Sequence, residues 1–351
     1  MLKKLLSVLV ITNIVNTASA ETNNSSLCVD RQKNYTSISD FHLHSQPFGG
    51  KAIEYTNLIN HLKKYNIKIV NLFGIGQVVP QTSKCTYYLD CLGTPVLPST
   101  KNDILNAHNY NTHPSKDMFI NVSYSFLDLA NPKGGAHTLN ALDKRFPNTF
   151  KLAGEVNLVK QALLGNQHEI STLSDIDNWK EFMDILRKKD MPILIHSDLG
   201  NDTVPTLLLN LVVKALSTYP DNKIVWAHLG LSKELSNINP KQHIAILEHT
   251  LQTYPNLYLG LSWTVLHKEY FSKPHIRKQY VKLINKYPSR FLAGTDFVAS
   301  NKKAMSEYLA ELQITSQINK YISDEAFRNI ALGQNHADIL NIKYTAPEIC
   351  Q

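Results

Sequence analysis

After residue 20 the chain has no apolar run long enough to cross a bilayer, which takes about 20 consecutive apolar residues in a helix. It has no basic run interleaved with aromatics, so a nucleic-acid partner is not expected. No glycine-rich phosphate loop follows the first predicted strand, which counts against a nucleotide-binding fold. No internal repeat, low-complexity tract or linker divides residues 21–351. Cysteine is scarce, with four in all, at positions 28, 85, 91 and 350.

The segment that is rich in apolar residues stands at the start. Lys3 and Lys4 precede a short apolar stretch, Leu5–Val15, and Ala18-Ser19-Ala20 is a small-residue cleavage site. Residues 1–20 are therefore expected to be a secretory signal peptide cleaved after Ala20, too short to anchor the chain. The expected mature protein is a single unit over 21–351, soluble and either periplasmic or secreted. Four cysteines in an exported chain suggest disulfides. Cys85 and Cys91 lie close together in a loop-like stretch and are the favoured pair, while Cys28 and Cys350 are placed to tie the termini together. Zinc ligation by the four is the alternative, although their spacing fits no structural zinc pattern.

Hydrophobic residues make up 43% and charged residues 19% of the chain, ordinary for a globular protein with a large core. The formal charge is +7; losing Lys3 and Lys4 with the signal leaves about +5, since 7 − 2 = 5. The charge is spread along the chain, enough for mild steering of anionic substrates.

From residue 38 strands and helices alternate. Predicted strands are 38–44, 67–73, 118–124, 150–156, 191–196, 223–228, 256–262 and 290–296. Predicted helices are 52–66, 136–146, 175–189, 203–219, 242–254, 273–287, 302–312 and 324–332. Strands such as Met-Pro-Ile-Leu-Ile-His (191–196) are continuously apolar, as for strands buried on both faces. Residues 75–115 are irregular and rich in Pro, Thr, Asn and Tyr; so long a stretch is read as a lid or an excursion. Eight β/α units in one chain predict an α/β fold, a (β/α)8 TIM barrel with a long insertion after strand 2. A doubly wound open sheet is the alternative.

Chemistry-bearing residues recur at the strand ends. Strand 1 ends in His42 and His44, which share a face because side chains alternate along a strand. Strand 4 ends near Glu155, strand 5 in His196, strand 6 in His228 and strand 8 in Asp296. In a barrel these ends meet at one rim, where active sites are built. Each residue alone has a plainer explanation: a satisfied core histidine, a paired acid, or a helix cap for Asp296. Six at the strand ends together point to a metal centre.

The pattern resembles the amidohydrolase superfamily of metal-dependent barrel hydrolases, over nearly the whole mature chain. The residues carrying the likeness are Asp40-Phe41-His42-Leu43-His44, Gly154-Glu155-Val156-Asn157, Ile195-His196, Ala227-His228-Leu229-Gly230 and Gly294-Thr295-Asp296. The tail Gly333-Gln334-Asn335-His336-Ala337-Asp338-Ile339-Leu340 looks like the ending of the family's amidohydrolase-2 branch. The resemblance implies that His42, His44, His196 and Asp296 are metal ligands. His228 would bind a second metal or touch the substrate and the developing oxyanion. Glu155 would bridge two metals or stand behind a single one; no lysine is seen at its strand end, so a carboxylated lysine is not expected.

One or two divalent ions are implied, zinc first, with manganese, iron and nickel also open. Bound zinc lowers the pKa of its water from 15.7 to about 7. Asp296 would accept the proton, and His228 with the metal would polarise the scissile carbonyl of a small-molecule substrate. An amide, ester or lactone-type bond is the expected target. Decarboxylation of a small carboxylic acid and a non-catalytic metal- or ligand-binding barrel are the alternatives.

Overall fold

The eight strands form a closed parallel barrel. The computed structural model describes residues 28–350, so the expected signal segment 1–20 lies outside the described residues. The strands are β1 (Ser39–His44), β2 (Ile69–Phe73), β3 (Phe119–Tyr124), β4 (Phe150–Val159), β5 (Ile193–Ser197), β6 (Ile224–Trp226) and β7 (Leu257–Gly260). β8 comes in two pieces, Phe291–Leu292 and Phe297–Val298. The first piece pairs with β7 and the second with β1, so β8 stands at both ends of the strand order and closes it. All pairs in this sheet are parallel.

The helices are α1 (Tyr55–Lys64), α2 (Lys101–Thr112), α3 (Gly135–Arg145), α4 (Leu173–Asp177), α5 (Lys180–Lys188) and α6 (Leu209–Thr218). They continue with α7 (Pro240–Thr253), α8 (Pro274–Lys286), α9 (Met305–Thr315), α10 (Asp324–Ile330) and α11 (Gln334–Ile339). α1 shows why they form. Glu54 caps its first turn through the Thr56 and Asn57 N–H groups, and Tyr55, Leu58, Ile59 and Leu62 give one buried stripe at helical spacing. Inside the barrel, Phe41, Phe73, Leu152, Leu194, Val225 and Leu292 pack together with Ile339 and Leu340. α11 is pinned to the sheet by His336, whose ring bonds Ser39 Oγ and Asn71 Oδ1.

Several boundaries differ from expectation. The predicted helix over 175–189 is two helices, α4 and α5. The tail after Gly333 is helical. β4 runs to Val159 rather than Val156, because Leu158 and Val159 are still buried. Residues 75–115 are not irregular throughout, since they contain α2. That helix leaves little trace in the apolar pattern because its buried face is mostly polar. Asn102 Nδ2 donates to the Ile75 carbonyl, Asp103 accepts from the Ser125 and Phe126 N–H groups, and Asn106 accepts from Ser45 Oγ. The insertion is therefore confined to residues 75–100. A two-residue antiparallel pair, Gln77–Val78 with Leu97–Pro98, closes its base.

All four cysteines are in disulfides, Cys28–Cys350 and Cys85–Cys91, with Cα–Cα distances of 4.9 and 6.0 Å. This excludes zinc ligation by cysteine. Among the described residues no helix is long and apolar enough to cross a membrane.

Candidate metal centre

All six predicted site residues converge at the C-terminal rim of the barrel, in two groups that share Glu155: His42, His44, Glu155 and Asp296, and Glu155, His196 and His228. In the first group His42 Nε2 lies 3.1 Å from His44 Nε2. Glu155 Oε2 is 3.2 Å and Asp296 Oδ1 3.3 Å from His44 Nε2. In the second, Glu155 Oε1 lies 2.6 Å from His196 Nδ1 and 3.4 Å from His228 Nε2. The two oxygens of one carboxylate thus face different sets of imidazoles.

The outer nitrogens of these rings are fixed by the scaffold. His44 Nδ1 donates to the Gly74 carbonyl at 2.8 Å, His42 Nδ1 to Ser262 Oγ at 3.0 Å, and His228 Nδ1 to the Ser262 carbonyl at 3.2 Å. These bonds leave the Nε2 lone pairs pointing inward. His196 is turned the other way: its Nε2 meets Asp198 Oδ1 at 3.0 Å and its Nδ1 faces Glu155. Two inward nitrogens 3.1 Å apart beside two carboxylates call for positive charge among them, supplied either by a proton on His44, which the carboxylates favour, or by a metal ion. The donor set fits a divalent metal on that ground.

Charge in the centre follows the same logic. Burial pushes His42 down to about 4, against the pull of Asp296 and Glu155. At His44 the burial is outweighed by Asp296 and Glu155, which push it up to about 9. Burial opposes charge on Asp296 too, but His228, His42 and His44 hold its carboxyl well below the ordinary range. Glu155 is likewise held well below it, its burial overcome by Lys160 and His196.

The backbone is specialised where these residues sit. Gly154, before Glu155, has φ +113°, and a Cβ there would meet the Leu194 carbonyl oxygen at 2.3 Å, so only glycine fits. His228 and Asp296 both lie in the left-handed region, at φ 56° and 62°, a conformation that costs about 1–3 kcal/mol and persists where surrounding structure enforces it. For His228 the enforcement comes from His243 on α7, which bonds the Leu229 carbonyl at 2.9 Å. For Asp296 it comes from buried Asp40, which accepts from the Thr295 N–H and hydroxyl at 3.0 and 2.7 Å.

Three further residues of the centre carry little signal in the sequence. Lys160 follows the true end of β4, and its Nζ lies 3.7 Å from Glu155 Oε2; a lysine is therefore present at this strand end, contrary to expectation. The apolar pair Leu158-Val159 directly before it is the sequence signal that extends the strand to this point. Asp198 stands two residues after His196, the same spacing as His42 and His44. Ser262, one hydroxyl between two imidazoles, carries no sequence signal.

Beside the centre lies a cavity of about 480 Å³, lined by His44, His196, His228 and Asp296 together with Trp263 and the loop residues 86–90. The insertion after β2 therefore reaches over the site. Its own small core of Phe48, Ile75, Val79, Tyr88, Val96 and Leu163 holds it there.

The amidohydrolase family model matches residues 134–335, more than half of the sequence. The chain belongs to the amidohydrolase family. Its fold is similar to that of an amidohydrolase from Burkholderia multivorans with bound zinc, at 12% identity and a TM-score of 0.55, covering 87% of this chain and 99% of that one. It is also similar to dihydroorotase from Campylobacter jejuni, at 15% identity and TM-score 0.51, covering 88% and 84%. L-hydantoinase from Arthrobacter aurescens aligns at 7% identity and TM-score 0.51, covering 90% and 73%. At these identities the likeness is one of fold. A comparison with curated proteins finds no match.

Proposed function

We propose that the protein is an exported metal-dependent hydrolase that cleaves an amide, ester or lactone-type bond of a small molecule. The observation that carries this reading is Glu155, whose two oxygens face separate imidazole groups. Two ions suit that arrangement, one held by His42, His44, Glu155 and Asp296, the other by Glu155, His196 and His228. Imidazole and carboxylate donors favour zinc, the ion bound in the Burkholderia multivorans structure. When bound, such ions supply an acidified water and polarise the carbonyl under attack.

The remaining work falls to the chain. Asp296 borders the cavity beside both imidazole groups, so in this reading it accepts the proton of the attacking water and returns it to the leaving atom. The loop over the site limits solvent around the bound molecule. Two disulfides and the Met1–Ala20 segment support export.

The test is turnover by protein stripped with a chelator and then reconstituted with zinc, on a panel of aryl esters, lactones, N-acyl amino acids and aromatic acids. Acid release from the first three only after zinc is restored is expected. Carbon dioxide release from the aromatic acids would make the protein a decarboxylase instead. Zinc binding without turnover of any member would leave a binding barrel.

A further inference from the structure

Lys160 is the unusual charge in the cavity. Its side chain is only 14% exposed and lines the pocket. Its Nζ makes no hydrogen bond with any described residue; the ion pair with Glu155, at 3.7 Å, is too long for one. Of the other nearby acids, Asp296 stands among the histidines of the centre, 3.3 Å from His44, and Asp198 is already committed to the Gln161 N–H at 2.7 Å and to His196 at 3.0 Å. The three other cavity lysines differ: Lys302 donates to Thr86 Oγ1 at 2.7 Å, Lys303 pairs with Glu311 at 3.3 Å, and Lys233 is exposed to solvent.

A simpler role would be to neutralise Glu155. Cations bound at Glu155 would remove that need and leave a buried ammonium beside further positive charge. Burying an ammonium without partners is costly, and an incoming anion supplies the missing acceptors. Phe48 lies with its ring centroid 5.8 Å from Nζ and 4.7 Å from the Tyr88 ring, so an apolar wall adjoins the charge.

We propose, resting on the hydrolase reading above, that Lys160 is the anion-binding residue of the cavity. The substrate is then a small carboxylate-bearing molecule with an apolar ring. Its acid group sits on Lys160 Nζ, its ring lies against Phe48 and Tyr88, and the bond to be cleaved faces the metal centre.

The test uses the zinc-reconstituted full chain and calorimetric titration with three probes. Benzoate carries ring and charge, benzamide is its neutral counterpart, and acetohydroxamate reports on the ions alone. Wild type is expected to bind benzoate at least about tenfold more tightly than benzamide. Lys160→Met should abolish that preference and Lys160→Arg should retain it, each compared with the wild type at matched zinc occupancy, which acetohydroxamate binding reports. Benzoate binding no tighter than benzamide in the wild type, or a preference that survives Lys160→Met, would overturn the inference while leaving the metal reading intact. Absence of zinc and of acetohydroxamate binding, with a benzoate preference that still depends on Lys160, would uphold the anion site and remove the metal reading.

Discussion

Asp296 lies 3.3 Å from His44 and 3.9 Å from His228, close to both imidazole groups. In the proposed reaction it is the proton carrier, and an amide in its place cannot accept a proton. Asp296→Asn is therefore expected to lower kcat by at least about 100-fold, with the fold and part of the metal content retained. Steady-state kinetics on any substrate found, together with elemental analysis, checks this. A near-normal kcat would make Asp296 a structural residue. The neighbouring His243 allows a different test, of electrostatics away from the metal. Burial pushes its pKa down to about 4, and its ring bonds Tyr280 Oη at 2.6 Å and the Leu229 carbonyl. Because the folded value lies below the ordinary 6.5, this group's contribution is fully present above pH 6.5 and is lost as pH falls toward 4. Buried Asp103, pushed up to about 7 by desolvation, acts in the opposite sense, so a difference measurement is needed. The stability gap between wild type and His243→Gln, measured by urea unfolding of metal-free protein, should shrink by about 2–3 kcal/mol from pH 7.5 to 4.5. A gap independent of pH would contradict the assignment of a neutral buried imidazole.

Among the elements, the insertion at residues 75–100 combines local order with a place at the site. The Cys85–Cys91 bridge encloses Tyr87 and Tyr88, and both tyrosines line the cavity. Gly93 N–H and Val96 N–H bond the Gly165 and Asn166 carbonyls at 2.8 and 2.9 Å, fastening the loop to the segment after β4. Closing so short a loop contributes little to global stability, about 2 kcal/mol or less. The Cys85→Ala/Cys91→Ala pair of substitutions should thus lower Tm only slightly and raise KM severalfold. A large fall in Tm with unchanged KM would make the insertion a structural element rather than a lid. Element by element, legibility in the sequence followed polarity. The strands were readable because they are continuously apolar, and their terminal histidines and acids stand out against that background. α2 was not, since Asn102, Asp103 and Asn106 bury amide and carboxylate groups where a helix ordinarily buries aliphatic ones. Lys160 was lost with the last three residues of β4, and Ser262 because a single hydroxyl has no pattern.

At the scale of the whole molecule, closure organises everything else. β8 divides around Ala293–Asp296 so that one half completes the sheet on β7 and the other on β1, which places Asp296 in the gap between them. Cys28–Cys350 then joins the two ends of the described chain across 322 residues, assisted by the Val29–Ile349 bridge. The barrel gathers six candidate ligands from five strand ends, Glu155 among them, and in the proposed reading Glu155 would join two ions. The direct measurement is zinc per chain, by elemental analysis of reconstituted wild type and Glu155→Gln. Two ions are expected in the wild type, falling to one or fewer in the variant. A single ion in the wild type, unchanged by Glu155→Gln, would contradict that reading.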